Sequence, residues 1–166
     1  MAARQLAIEI RSQRFAFAVL HGSKLLDSGI RNLPRGISGM KRGISRLMFL
    51  LQLYAPSVVV ARRTRQVRGE PAERAARVFR RIRQELTRRS IPFIPLDRND
   101  IRKVFGALGC RTKHEIAAAV AERFQELKPR VPRPRKPWDP ERKRSAIFDA
   151  IATAIAFNEL RESGDV

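Results

Sequence analysis

Three short runs of alternating apolar residues lie at the start of the chain, and they constrain the fold more than any later feature. "LAIEI" at 6–10, "FAFAVL" at 15–20 and "LLDSGI" at 25–30 are separated only by the polar turns "RSQR" and "HGSK". A period of two broken by short turns predicts three antiparallel strands in a meander. Then the period changes. Met40, Ile44, Leu47, Met48 and Leu51 recur at helical spacing between Ser38 and Tyr54, and Pro56 stops that helix. "SVVVA" at 57–61 is a β-branched run suited to a strand buried on both faces.

From Pro71 to about Arg89 the spacing predicts a second helix, with Ala75, Phe79, Ile82 and Leu86 inward and Arg74, Arg77, Arg81 and Arg88 on its surface. "IPFIPL" at 91–96 reads as a short strand near a sheet edge, given its prolines. Asp97 or Asn99 caps a short helix ending by Gly106, and Thr112 with Glu115 forms the capping box of another, with Ile116, Val120, Phe124 and Leu127 facing the core. His114 is expected at the surface. Residues 128–140 hold five prolines and predict an extended basic linker, after which Asp139 and Pro140 are expected to open the last helix. The whole of 1–166 reads as one domain. A meander followed by alternating helices and strands implies an α/β sandwich with a mixed five-stranded sheet, three antiparallel strands and then parallel ones, as in the RNase H-like fold.

Charge selects the partner class. The chain has 35 basic and 16 acidic residues, net +19, and arginine supplies 28 of the 35. Guanidinium fits phosphate bidentately, so a polyanion is expected, and arginines spread through patterned helices favour nucleic acid over a membrane surface. The segment "MAARQLAIEIR" has no apolar stretch before its first charges, and the expected location is cytoplasmic. One cysteine, Cys110, and two histidines cannot build a thiolate or imidazole zinc cage, so any metal would be a hard one on carboxylates.

"SAIFDAIATAIAF" at 145–157 poses the sharpest question. Asp149 is its single charge, among Ile147, Phe148, Ile151, Ile155 and Phe157. A carboxylate buried without a partner is costly enough to take up a proton or demand a cation.

Four stretches carry a family resemblance. "LAIEIRSQRFAFAVL" resembles the first hairpin of the RuvC-type Holliday junction resolvases, and "YAPSVVVARR" their fourth strand. "IPFIPLDRNDIRKVFGALGCRTKHEI" is similar to the fifth strand and the lysine-bearing helix start after it, and "FDAIATAIAF" to the final helix. The resemblance implies four carboxylates holding two magnesium ions, which activate a water for phosphodiester hydrolysis. It also implies dimers acting on two-fold junctions. Carried over residue by residue, Glu9 matches the first acid, although the glycine that follows it in the family is missing here. Asp149 matches one of the two helix acids, and its counterpart falls on Ala146 or Ala152. Arg62 falls where the fourth-strand glutamate belongs.

Two acids and an arginine are a different electrostatic object from four acids. Strand parity puts Arg62 with Val58 and Val60, so its guanidinium is expected between Glu9 and Asp149 in place of metal. Two other placements stay open: Arg62 along the sheet edge with Arg63 and Arg65, and Glu9 paired with Arg11 or Arg14. The backbone-tracking surface is expected to comprise Arg63, Arg65, Arg68, Arg74, Arg77, Arg81 and Lys113, with Arg133, Arg135 and Lys136 from the linker. Trp138 either stacks on a base or packs down to anchor its loop.

The expected function is structure- or backbone-directed nucleic-acid binding, DNA ahead of RNA, with weak or absent cleavage. One alternative is an active magnesium- or manganese-dependent endonuclease, with Glu9 and Asp149 as ligands helped by Asp139 or Glu141. Another is an RNA- or ribosome-associated binding protein.

Overall fold

The computed structural model describes residues 3–63, 69–140 and 143–166. The meander forms as expected: β1 (Arg4–Ile10), β2 (Arg14–His21) and β3 (Lys24–Asn32) pair antiparallel, with Ile10 opposite Phe15 at the first turn. Helix α1 (Ile37–Tyr54) leads to β4 (Val58–Arg62), which runs parallel to β1, and α2 (Glu70–Arg88) leads to β5 (Phe93–Leu96), parallel to β4. The sheet order is β3-β2-β1-β4-β5, so the first strand is central and the proline-bearing strand lies at an edge. Helices α3 (Arg98–Ala107), α4 (Lys113–Arg123) and α5 (Ser145–Ser163) complete the chain. No described helix is long and apolar enough to cross a membrane.

Strand parity divides the core into two layers. Leu6, Ile8, Phe15, Phe17, Val59 and Ala61 face α1 and α2, where Leu47, Leu50, Val78 and Ile82 meet them. Ala7, Ala16, Ala18, Val58 and Val60 face the other way, onto α5, with α3 and α4 behind it. Alanines on that face let α5 lie close to the sheet. Enclosed by sheet and helices, α5 is buried on nearly every side between Ala146 and Phe157, with Asp149 the one charged residue of that stretch. On the opposite layer α1 reaches the β3–α1 connection through two glycines: a Cβ on Gly39 would stand 1.9 Å from the Pro34 carbonyl oxygen, and one on Gly43 1.9 Å from Leu33 Cδ2.

The caps of the short helices follow their sequence signals. Asp97, and not Asn99, precedes α3, with its N–H donating to the Asp100 carboxylate at 2.7 Å, and Glu115 N donates to Thr112 Oγ1 at 3.2 Å. Two expectations fail. Helix α4 ends at Arg123, and Leu127 reaches the core from a 3-10 turn over Gln125–Arg130, which takes up the start of the expected linker. Asp139 and Pro140 do not open α5. Asp139 instead closes a turn on Lys136: its carboxylate accepts from Lys136 N at 3.1 Å and its own N–H donates to the Lys136 carbonyl at 3.0 Å. The helix begins at Ser145.

Candidate functional site

Because β1 and β4 run parallel, their last residues emerge at the same end of the sheet. One residue past the Ile8–Ala61 pair, Glu9 and Arg62 both point toward α5. Arg62 Nη2 donates to Glu9 Oε1 and stands 3.9 Å from Asp149 Oδ2. Arg11 has the parity of Glu9 and joins the cluster: its Nε is 3.1 Å from Glu9 Oε1, and its Nη2 donates to Asp149 Oδ2 at 2.7 Å. Lys113, the first residue of α4, brings Nζ to 3.6 Å from Asp149 Oδ2. The Asp149 side chain is 15% exposed, and the small buried residues Ala146 and Ala152, one turn away on either side, leave room for the three cations. Thr153 returns its hydroxyl to the Asp149 carbonyl at 2.8 Å.

Arg62 therefore points inward and not along the sheet edge, and Glu9 has Arg11 as a partner as well as Arg62. Arg11 was legible only as an ordinary strand-end partner, although its shared parity with Glu9 already placed it on the α5 face. Glu9 is 3% exposed, and burial pushes its carboxyl up to about 7; Arg62 opposes the rise, Asp149 adds to it and Arg11 opposes it again. Glu9 Oε2 is buried and has no hydrogen-bond partner among the described residues.

These residues do not fit a magnesium or manganese ion. Hard cations take six or more oxygen ligands and retain waters, but here guanidiniums occupy one oxygen of each acid, Glu9 Oε1 and Asp149 Oδ2. Like charges about 4 Å apart repel by roughly 4 kcal/mol per unit of charge at an effective dielectric of 20, so Arg62 and Arg11 work against a dication placed between the acids. Among the described residues no group of three or more histidine, cysteine, aspartate or glutamate side chains is placed to hold a metal. Asp139 is exposed and engaged in its own turn, and Glu141 lies outside the described residues.

Glu9, Arg11, Arg62 and Lys113 of the cluster line a groove of about 650 Å³. Ser12, Gln13 and Arg14 of the β1–β2 turn form one wall, Pro71 and Ala72 of α2 another, and Arg63, Arg98 and Lys113 line the rest. Arg98 is a contributor that the sequence did not single out, and Arg14, named there only as a possible partner of Glu9, lines the groove. Arg63 is exposed and pairs with Asp97 at 3.1 Å; Arg65 and Arg68 lie outside the described residues. Arg77 is exposed on α2, while Arg81 pairs with Glu85 of the same helix at 3.0 Å. Arg74 departs from its expected place on the open surface. Half-buried, its guanidinium donates to the carbonyls of Ser12, Leu33 (2.9 Å) and Pro34, because α2 passes close to both loops.

Arg133, Arg135 and Lys136 are exposed on the proline-rich segment, and Arg135 donates to the Asp139 carbonyl at 2.8 Å. Trp138 does not pack down: it is 76% exposed, with Lys136 Nζ 5.4 Å from the ring centroid. His114 is half-buried, its Nδ1 2.9 Å from the Pro132 carbonyl, and so ties the segment to α4.

A β3-β2-β1-β4-β5 sheet, antiparallel then parallel and flanked by helices, with an acid ending its central strand and another on its last helix, defines a RuvC-like RNase H-like fold. Among solved structures, that of Thermus thermophilus RuvC in complex with Holliday junction substrate superposes with a TM-score of 0.73 at 16% identity, over 97% of this chain and 96% of that one. The yeast mitochondrial Holliday junction resolvase gives 0.65 at 13% identity, over 94% and 78%. The fowlpox virus Holliday junction resolvase gives 0.55 at 14%, over 94% and 98%. No family model and no curated protein matches the sequence. At these identities the likeness establishes the fold.

Proposed function

We propose that this protein uses the RuvC-like fold to grip nucleic acid, branched or duplex DNA ahead of RNA, without cutting it. The observation that carries the reading is Arg62, bonded to Glu9 and within 4 Å of Asp149. The acids hold arginine and lysine in fixed positions at the end of the sheet, where the resolvase resemblance puts catalytic metals. Arg11 and Lys113 line the groove and are 26% and 48% exposed, so a phosphate entering it would meet their positive charge. Such contacts carry no sequence information, and recognition by shape and backbone follows. The T. thermophilus neighbour is itself bound to a Holliday junction substrate, which supports a branched DNA partner.

The test compares a four-way DNA junction, duplex DNA and duplex RNA by fluorescence anisotropy at two salt concentrations, and then incubates each with magnesium or manganese. The expected result is tight junction binding that falls steeply with salt, by about 10³-fold or more over a fourfold salt increase if six phosphates are contacted, and no product. Metal-dependent cleavage abolished by both Glu9→Ala and Asp149→Ala would overturn the reading.

A further inference from the structure

A second cavity, of about 500 Å³, lies between the start of α4, the proline-rich segment and the first turns of α5. It shares Lys113 and Asp149 with the cation cluster and so meets the groove at its edge. Its walls are apolar: Ile116 and Ala117 from α4, Phe148 from α5, and Pro132, Pro134 and Pro137 from the segment opposite. Its rim is basic, from Arg133, Arg135 and Lys136. Both carboxylates in the lining are already engaged. Glu115 accepts from the N–H groups of Arg111 (2.6 Å) and Thr112 (2.8 Å), and Asp149 accepts from Arg11. One residue past the lining, Trp138 presents its exposed ring beneath Lys136.

We infer that this cavity takes one unpaired nucleotide of a strand whose duplex part lies in the groove; the inference rests on the reading that the protein binds nucleic acid. Its volume falls within the roughly 300–1,000 Å³ of small-ligand sites. Prolines lack the N–H donor, so the segment offers ring faces to a base and no hydrogen-bond code, while the rim meets the flanking phosphates. Trp138 supplies a stacking surface for the neighbouring base. A base paired inside a duplex cannot enter, so the cavity selects for flaps, gaps and junction centres.

Trp138 is the one tryptophan of the chain, and its emission reports on this segment alone. The full-length protein is titrated with oligo-dT, oligo-U, a blunt duplex and oligoglutamate of matched charge, with a four-way junction followed by anisotropy. Expected are quenching by the single strands and not by the blunt duplex, and about a tenfold loss of single-strand affinity in Trp138→Ala with duplex affinity unchanged. Quenching by oligoglutamate or by the duplex to the same extent, or none by either strand, overturns the inference. Should the junction still bind in that case, the proposed function survives; should nothing bind, both fall.

Discussion

Two glutamates of this protein sit among arginines, and their carboxyl groups move in opposite directions. Glu85 on α2 has both oxygens engaged: Arg81 and Arg88 at 3.0 and 3.1 Å on Oε1, and Arg89 at 2.8 Å on Oε2. The Arg89 hydrogen bond holds its carboxyl below the usual range, with Arg81 and Arg88 acting in the same sense against burial. Glu9 has Arg62 and Arg11 on a single oxygen, no partner for the other, and the Asp149 carboxylate nearby. Its carboxyl is raised. The arginines around Glu85 are 43–64% exposed, those around Glu9 20–26%. Counting cations therefore does not predict the charge state. What decides it is whether each carboxylate oxygen is satisfied and how much water reaches the pair. In the α2 cluster the arginines stand in solvent around a satisfied carboxylate, whereas in the groove cluster they are largely withdrawn from water and desolvation works against the charge on Glu9.

The contrast can be broken most sharply by giving the groove back an acid. Arg62→Glu should bind manganese, seen as a calorimetric heat and a metal-dependent rise in melting temperature, while the parent protein shows neither; a silent variant would mean that Arg62 is not what excludes the ion. Next in size, Arg62→Ala should lose about 3 kcal/mol of stability at neutral pH, as expected for a broken buried pair, measured by urea denaturation. The loss should shrink toward pH 5, where Glu9, with its carboxyl raised to about 7, is already protonated. The third expectation concerns pH itself. Raised from 4.5 to about 7 in the folded protein, Glu9 contributes stability that is fully present below pH 4.5 and is lost as pH rises through 7. Glu9→Gln should flatten that slope in melting temperature. Glu85 is lowered, so its contribution is present above 4.5 and lost as pH falls, and Glu85→Gln should flatten the acid limb instead. Smallest of all, Arg88→Ala should change stability by less than about 1 kcal/mol, since the pair it breaks is open to solvent.

The sheet and its helices were legible because their signals are local: a period of two at 6–30, a period of 3.6 at 38–54 and 71–89, and a capping box at Thr112. Parity favoured an inward Arg62 but left the sheet edge open, and it is the contacts with Glu9 and Asp149 that decide between them. Arg74 did not, because nothing in a helical wheel says that two loops from distant parts of the chain will present three carbonyls beside it. The start of α5 was misplaced for a related reason. Asp-Pro is a good helix opening, but here the aspartate is used by the turn it closes on Lys136. Arg98 and Arg14 reach the groove through the packing of α3 and the β1–β2 turn, which the sequence alone does not fix.

The bridge made by Arg74 sets the aperture of the groove. One wall is the β1–β2 turn, the other the start of α2, and a single guanidinium spans them by holding the Ser12 carbonyl from the α2 side while also fastening the β3–α1 connection. The two walls are thus joined within the fold, so the ordering entropy of that link is spent when the chain folds and not when a partner arrives. On the proposed reading, a duplex entering the groove would meet two walls already tied to each other.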